Sequence, residues 1–172
     1  MNDTQHTTCT RVAVAGATGY AGAELTAILA RHRDAEIVGL YSSPGGKGGQ
    51  VLPSNPKLVA EPFTLAKLEA AKADVVFLAT PNETSAELAP ELLDRGMKVI
   101  DLSGAFRLGE PSLYPAWYGF AHTRPELLGE AVYGLTELCN GELAKARLVA
   151  NPGCYPTSIL LALRPITFLL DK

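Results

Sequence analysis

One cysteine stands where a folded chain could use its thiol as a nucleophile. Cys154 follows a short apolar run at 147–150 and the turn residues Asn151-Pro152-Gly153, and a second apolar stretch with Pro156 near its start comes next. This order predicts a thiol at a helix N-terminus, where the helix dipole and free N–H groups favour a thiolate. A thiolate in that place can attack an acyl carbon and form a thioester. A buried structural cysteine is the alternative, and position alone leaves both open.

A glycine-rich segment forms the second candidate site. It reads Gly16-Ala17-Thr18-Gly19-Tyr20-Ala21-Gly22, and it lies between an apolar run at 11–15 and a stretch with helical spacing of apolar residues. Between a strand and a helix, such glycines permit a tight turn, close approach to a pyrophosphate, and close packing of helix on strand. The spacing is a variant of the usual fingerprint, yet its context predicts a dinucleotide site. The alternative is a plain glycine turn.

The end of the second predicted strand favours NADP over NAD. An NAD site carries a carboxylate there for the ribose 2′-hydroxyl. In this chain the strand at 36–41 begins with Glu36 and is followed by Ser42 and Ser43, so the acid lies at the wrong end. Ser42, Ser43 and Lys47 can instead donate hydrogen bonds to a 2′-phosphate. The alternative is that the two serines simply begin a flexible loop.

These segments need a scaffold that brings their ends together. Short apolar runs predict strands at 11–15, 36–41, 74–79, 98–102 and 147–150, with a weak strand at 58–60. Helices are predicted at 19–33, 64–72 with Thr64 as N-cap, 82–95 followed by Gly96, and 154–163. Residues 42–55 are predicted to be a loop, and 105–130 a long ordered excursion across the sheet end. The alternation predicts an α/β fold with a Rossmann-like doubly wound parallel sheet.

Composition narrows the possible functions. The chain has 172 residues, of which 47% are hydrophobic, so it can bury a core without disulfides. A net charge of −3 without a basic cluster argues against a nucleic-acid partner. The apolar runs are too short to span a bilayer, which argues against a membrane partner. The 3 cysteines are widely spaced, so we expect free thiols, a cytoplasmic location and no metal site.

Several motifs together resemble N-acetyl-gamma-glutamyl-phosphate reductase. They are the glycine turn, Asp74-Val75-Val76-Phe77-Leu78-Ala79-Thr80-Pro81, Asp101-Leu102-Ser103-Gly104-Ala105-Phe106-Arg107, Tyr118-Gly119-Phe120, Tyr133-Gly134-Leu135-Thr136-Glu137 and Asn151-Pro152-Gly153-Cys154-Tyr155-Pro156-Thr157. The wider superfamily includes aspartate-semialdehyde dehydrogenase. The resemblance implies NADPH-dependent reduction of the acyl phosphate N-acetyl-gamma-glutamyl phosphate to its semialdehyde, with release of phosphate, in arginine biosynthesis. It also implies that full-length members are homo-oligomers.

The resemblance assigns roles to individual residues. Cys154 matches the family nucleophile, whose thioester is reduced by hydride. Arg107 and Asn151 are implied substrate contacts, and Ser103 and the Thr80-Pro81 pair are implied cofactor contacts. A structural ion pair is the alternative for Arg107, and a turn is the alternative for Ser103 and for Thr80-Pro81. The family base is a histidine of a second domain, so we interpret His122 as a structural cap of its own loop.

Family chains are longer by most of a second domain. We therefore expect residues 1–150 to form the NADP-binding domain and 151–172 to begin a truncated α+β catalytic domain, with impaired activity. Two other functions stay open. One is a non-catalytic NADP-binding module, and the other is a related reductase that acts on aspartyl phosphate.

Overall fold

A six-stranded parallel sheet forms the centre of the protein. The computed structural model describes residues 9–46, 49–52, 55–139 and 141–169. Its strands are β1 Thr10–Ala15, β2 Ala35–Tyr41, β3 Gln50–Leu52, β4 Asn55–Ala60, β5 Val75–Leu78, β6 Lys98–Asp101, β7 Val132–Tyr133 and β8 Leu148–Ala150. The sheet has the order β2-β1-β5-β6-β8-β7, and β3 and β4 form a separate antiparallel pair.

Helices connect the strands. They are α1 Tyr20–Leu29, α2 Leu65–Ala71, α3 Asn82–Asp94, α4 Tyr114–Tyr118, α5 Glu126–Glu130 and α6 Cys154–Leu163. Short 3₁₀ helices lie at Pro111–Leu113, Glu142–Ala144 and Arg164–Leu169. No helix among the described residues is long and apolar enough to cross a membrane.

The six parallel strands end in a single row. Across the sheet the paired terminal residues are Tyr41, Ala15, Leu78, Asp101, Ala150 and Tyr133. Because the strands are parallel, the loops that follow them share the carboxyl edge of the sheet. β2 pairs on one side of β1 and β5 pairs on the other side. The connections after β1 and β4 therefore run in opposite directions across the sheet, and ligands of open α/β sheets bind at such a switch point. The predicted α/β, Rossmann-like fold class is therefore confirmed.

The central strands are buried because helices and loops cover both faces of the sheet. Val14, Val76 and Val99 each have 0% exposure, as expected for apolar parallel strands. The predicted caps also form: the Thr64 hydroxyl accepts a hydrogen bond from the Lys67 N–H at 3.2 Å, and Gly96 adopts a left-handed φ of +80° at the end of α3.

Two expectations about the elements are wrong, and one strand has no counterpart among the predictions. The helix predicted over 19–33 ends at Leu29, because a turn already leads into β2. The loop predicted over 42–55 contains β3 and the start of β4, with Gln50 paired to Ala60. β7 was not predicted at all, since its two residues are too few to show a pattern and pair only through β8.

The predicted excursion over 105–130 folds around one tyrosine. Tyr114 is fully buried, and its hydroxyl accepts from the Leu108 N–H at 3.2 Å and donates to the Leu108 carbonyl at 3.1 Å. The Phe120 and His122 rings pack on it at centroid distances of 5.5 and 4.9 Å. These ring contacts hold the excursion against the main core.

Two glycines of the glycine turn are required by close backbone packing. A Cβ on Gly22 would lie 2.2 Å from the Gly16 carbonyl oxygen. Gly16 has a φ of +84°, and a Cβ there would lie 2.2 Å from the Ala79 carbonyl oxygen at the end of β5. Both obstacles are backbone atoms, which cannot move aside as a side chain can.

We predict that Gly22→Ala destabilises the chain by about 2 kcal/mol, since its methyl group collides with the backbone of the turn. Denaturant unfolding measures this change. Gly129→Ala is the matched control, because a Cβ there would meet no described atom within 4 Å and alanine favours the helix by roughly 0.5–1 kcal/mol. Equal stability of the two variants would contradict the close packing of the glycine turn.

Candidate active site

The glycine turn presents the start of α1 to the carboxyl edge of the sheet. The N–H groups of Gly16 and Ala17 both donate to the Tyr41 carbonyl, at 2.9 and 2.8 Å, which ties the turn to the end of β2. Gly19 is the N-cap of α1. No side chain caps this helix start, and helix N-termini of this kind can bind an anion.

The residues after β2 lie at the position expected for the adenosine end of a dinucleotide. Ser42 is buried, with 2% exposure, and among the described residues its Oγ has no hydrogen-bond partner. Ser43 begins a tight turn, in which its carbonyl accepts from the Gly46 N–H at 2.8 Å. Lys47 lies outside the described residues.

A carboxylate that sequence reasoning missed lies near this position. Glu61 follows β4, forms a parallel bridge with Tyr41, and its carboxylate lies 2.7 Å from the Lys67 ammonium. Nothing in the local sequence signals this contact, because it depends on the pairing of β4 beside β2. Glu36 is at the beginning of β2, as predicted, and its carboxylate lies 3.7 Å from Arg11.

The predicted cofactor contacts after β5 and β6 are joined by buried polar groups. The Thr80 and Ser85 hydroxyls lie 2.7 Å apart, and the Ser103 hydroxyl donates to the Asp101 carboxylate at 2.7 Å. Burial raises the pKa of Asp101, although hydrogen bonds from Ser103 and Ser85 and the charge of Arg107 oppose that effect. Sequence reasoning missed Asp101, but the Asp-x-Ser order is typical of an Asx turn and could have revealed it.

The loop after β5 also meets the loop after β6 directly. Pro81 is the N-cap of α3, and the next residue, Asn82, accepts a hydrogen bond at its Oδ1 from the Gly104 N–H at 2.7 Å. A Cβ on Gly104 would lie 2.1 Å from the Tyr118 ring, so the loop also packs closely on the excursion. The two loops are therefore held as one surface.

Cys154 is exposed and is the first residue of α6. Its N-cap is Gly153, which again leaves the first helical N–H groups without a side-chain partner of its own. The predicted placement of the thiol at a helix N-terminus is therefore confirmed. The β8 strand that leads to it is three strands from β1, a separation of about 14 Å along the sheet edge.

The other two cysteines lie elsewhere. The Cys139 Sγ is 2.9 Å from the carbonyl oxygens of Tyr133 and Leu135. Burial, with smaller effects from Glu142 and Glu137, raises the pKa of the Cys139 thiol. Cys9 is exposed next to the Arg33 carbonyl, and its Sγ and that oxygen are 3.6 Å apart.

Arg107 braces the turn that precedes the cysteine. Its Nε donates to the Asn151 carbonyl at 2.8 Å, and its Nη2 donates to the Leu102 carbonyl at 2.7 Å. Its Nη1 lies 3.1 Å from the position a Cβ would take on Gly153. The Asn151 side chain turns back on its own loop and donates to the Pro152 carbonyl at 3.1 Å. Arg107 can therefore have both a structural and a substrate-binding role. Its Nε and Nη2 hold the loop, while its Nη1 lies beside Gly153.

His122 caps its own loop, as predicted. Its Nδ1 accepts a hydrogen bond from the Arg124 N–H at 3.1 Å, and its ring packs on Phe106 at a centroid distance of 5.2 Å. Burial lowers the pKa of His122.

The side chains of α6 are at most partly buried. Ile159 is 54% exposed on this helix, and Phe168 in the 3₁₀ helix that follows is 80% exposed. An apolar helix in water is unfavourable, so this surface favours a covering partner.

Residues 11–146 match the family model described as semialdehyde dehydrogenase, NAD binding domain. The chain belongs to the semialdehyde dehydrogenase family. The matched part of this family member contains the glycine turn and Arg107 and ends just before β8.

Curated relatives confirm the narrower resemblance. An N-acetyl-gamma-glutamyl-phosphate reductase from Dehalococcoides mccartyi is 46% identical over 162 residues, which are 94% of this chain and 47% of the relative. The reductase of the same name from Thermus thermophilus is 49% identical over 154 residues, 89% of this chain and 44% of the relative. This semialdehyde dehydrogenase family member therefore spans about half the length of the curated relatives it matches.

Solved structures confirm the fold. Aspartate semialdehyde dehydrogenase II from Vibrio cholerae, complexed with ASA, matches with a TM-score of 0.66 and 21% identity over 93% of this chain and 47% of that chain. A probable aspartate-semialdehyde dehydrogenase from Pseudomonas aeruginosa matches with a TM-score of 0.63 and 24% identity over 95% of this chain and 43% of that chain.

We predict that iodoacetamide alkylates Cys154 faster than Cys9 and Cys139 at neutral pH. Cys154 is exposed as the first residue of α6, where backbone N–H groups stabilise negative charge that develops on an attacking sulfur, whereas Cys139 is buried and Cys9 lies outside any helix. Peptide mass spectrometry after timed labelling measures the three rates. Equal rates for Cys154 and Cys9, which is also exposed, would contradict activation of Cys154 by the helix N-terminus.

We predict that His122 makes the folded chain less stable as the pH falls. Its folded pKa is lowered, so below about pH 6.5 the unfolded chain binds a proton that the folded chain does not. The unfolding free energy of the wild type should therefore drop relative to His122→Phe between about pH 7 and pH 5. A constant difference between the two proteins across that range would show that His122 titrates normally.

Proposed function

We propose that the chain is the cofactor-binding and nucleophile-bearing part of an N-acetyl-gamma-glutamyl-phosphate reductase. The reaction is the NADPH-dependent reduction of the acyl phosphate to N-acetyl-glutamate semialdehyde with release of phosphate. The observation that carries the proposal is that an exposed cysteine and a glycine turn each begin a helix with a glycine N-cap at one edge of a parallel sheet. Relatives 42–50% identical bear that enzyme's name.

The residues present fit a dinucleotide. Gly16 and Gly22 have no space for a Cβ, as the tight turn and the close helix–strand packing of a dinucleotide fingerprint require, and Gly19 adds no side chain at the start of α1, where the pyrophosphate would bind. In this proposal Thr80-Pro81 contacts the adenosine side of the cofactor and Ser103 lies near the nicotinamide. Ser42 supports NADP over NAD, since its buried hydroxyl has no partner among the described residues and can donate to a 2′-phosphate.

Cys154 performs the covalent step. Its thiolate sulfur attacks the acyl carbon of the substrate, a C–S bond forms, and the bond to the phosphate oxygen breaks, so that phosphate leaves with its electron pair. The product on the protein is a thioester. When bound, NADPH supplies the hydride that converts this thioester to the aldehyde and returns the thiolate.

The groups around the cysteine orient this step. The N–H groups at the start of α6 stabilise the negative charge on sulfur and on the acyl oxygen. Nη1 of Arg107 supplies a cation for the phosphate or carboxylate of the substrate, while Nε and Nη2 of the same side chain fix the loop. Asn151 precedes the cysteine by three positions and supplies a polar contact at the same edge.

The second half of the relatives' length completes the enzyme in this proposal. Residues 1–150 form the NADP-binding domain and 151–172 begin the catalytic domain, whose remainder covers α6, supplies the general base and forms the oligomer surface. Free thiols and a biosynthetic nicotinamide reaction favour the cytoplasm.

A non-catalytic NADP-binding module is the second candidate. Apolar side chains of α6 are exposed to solvent, and Cys154 at the start of this helix is exposed as well. This exposure favours the module, because the reaction at Cys154 needs a site from which water is excluded. A reductase of aspartyl phosphate has less support, since the aspartate semialdehyde dehydrogenase structures are only 21–24% identical.

We predict that the chain binds NADPH more tightly than NADH in calorimetric titration, because Ser42 and Ser43 favour a 2′-phosphate. Ser42→Ala should weaken NADPH binding by about fivefold, as one lost hydrogen bond does, and leave NADH binding unchanged. Tighter binding of NADH would contradict the NADP assignment and point to Glu61 as the ribose ligand. Absence of binding by either dinucleotide would defeat both the enzyme and the module.

Intact mass spectrometry separates the enzyme from the module. We predict that incubation with N-acetyl-gamma-glutamyl phosphate adds one acyl group to the chain at Cys154, and that Cys154→Ala abolishes the adduct. Dinucleotide binding without an adduct would support the module. Faster formation of the adduct with aspartyl phosphate would indicate that the chain belongs to the related reductase that acts on that substrate.

A further inference from the structure

Asp101 is a buried carboxylate that the proposed reaction does not use. It is the last residue of β6 and has 0% exposure. Its two neighbours in the row of strand ends, Leu78 and Ala150, are apolar. A carboxylate in such a place loses its hydration, so its hydrogen bonds decide whether it is tolerated.

The loop after β6 folds around this carboxylate. The Oδ1 of Asp101 accepts from the Ser103 N–H at 3.0 Å, and its Oδ2 accepts from the Ser103 hydroxyl at 2.7 Å. The same Ser103 oxygen accepts from the Ala105 N–H at 3.0 Å. Asp101 thereby fixes the loop that carries one proposed cofactor contact.

The loop that Asp101 fixes is bonded to the loop after β5. The Gly104 N–H donates to the Oδ1 of Asn82 at 2.7 Å. Asn82 directly follows Thr80-Pro81, so the loop after β6 holds the segment that carries a second proposed cofactor contact.

A third connection runs to the turn before the nucleophile. The Asp101 carbonyl accepts from the Asn151 N–H at 2.8 Å. Arg107 belongs to the loop that the Asp101 carboxylate fixes, and its guanidinium donates to the Asn151 and Leu102 carbonyls. That loop thus carries the side chain that braces the residues leading to Cys154.

We propose that Asp101 is a positioning residue that holds the loops after β5 and β6 and the turn before Cys154 in one arrangement. The inference rests on the proposed function for what these loops bind, but its contacts are independent of that function. Removing the carboxylate should release all three segments together, while the rest of the sheet stays folded.

Asp101→Ala, Asp101→Asn and Leu68→Ala test the proposal. Leu68 is fully buried in α2, away from the strand ends, and its truncation is a control for general destabilisation. Hydrogen-exchange mass spectrometry, calorimetric titration with NADPH and timed alkylation of Cys154 are measured on each protein. The first and third of these need no cofactor.

We predict that Asp101→Ala speeds exchange at 80–86, 102–107 and 151–154 more than elsewhere, weakens NADPH binding about tenfold and slows alkylation of Cys154 severalfold. Asp101→Asn should recover part of each effect, because its Oδ1 still accepts from the Ser103 N–H. Leu68→Ala should speed exchange broadly while leaving NADPH binding and the Cys154 rate close to wild type.

Two results would overturn the proposal. One is a rise in exchange spread over the chain as for Leu68→Ala, and the other is a rise confined to 102–107 with an unchanged rate at Cys154. If the wild type binds no NADPH, the proposed function fails, and the exchange and alkylation results still decide the role of Asp101. If Asp101→Ala does not fold, the same three segments are compared in Asp101→Asn.

Discussion

The common end row of the six parallel strands is the constraint on which the rest of the structure depends. Parallel pairing sets Ala15, Leu78, Asp101 and Ala150 side by side. The glycine turn, the loops after β5 and β6, and the turn before Cys154 therefore all begin at the carboxyl edge of the sheet. A slip of one residue in β6 would turn Asp101 to the other face of the sheet. Ser103 and Arg107 would then lose the partners that fix them. The site therefore depends on strand register more than on the loops themselves.

Close backbone packing adds a second constraint. Gly16 contacts the end of β5 through Ala79, and Gly22 contacts Gly16, so α1 begins directly against the sheet. The same closeness that excludes a Cβ brings the helix N-terminus to the switch point of the sheet, where phosphates bind. At the other end of the site, Gly153 leaves the start of α6 open beside Cys154. Both helices therefore begin at a glycine that adds no side chain to the helix start.

The sequence was sufficient where a signal is local. Buried strands, the Thr64 cap, the Gly96 stop and the helix starting at Cys154 follow from apolar runs and turn residues close in the chain. Contacts made across the sheet have no local signal, which is why β3, β7 and the approach of Glu61 to Tyr41 were missed. Arg107 combines a local and a non-local signal. Its motif marks it as a candidate site residue, but its hydrogen bonds to the Leu102 and Asn151 carbonyls depend on the pairing of β6 with β8. Asp101 was overlooked because a lone acid at the end of an apolar strand resembles the beginning of a loop.

Protection of Cys154 by bound dinucleotide tests the central claim most directly, because it asks whether the glycine turn and the cysteine belong to one site. The alkylation rates of Cys154 and Cys9 are measured with and without saturating NADPH. Our account predicts that NADPH slows alkylation of Cys154, leaves Cys9 unchanged, and loses this effect in a variant that does not bind the dinucleotide. An unchanged Cys154 rate while NADPH is bound would contradict a shared site.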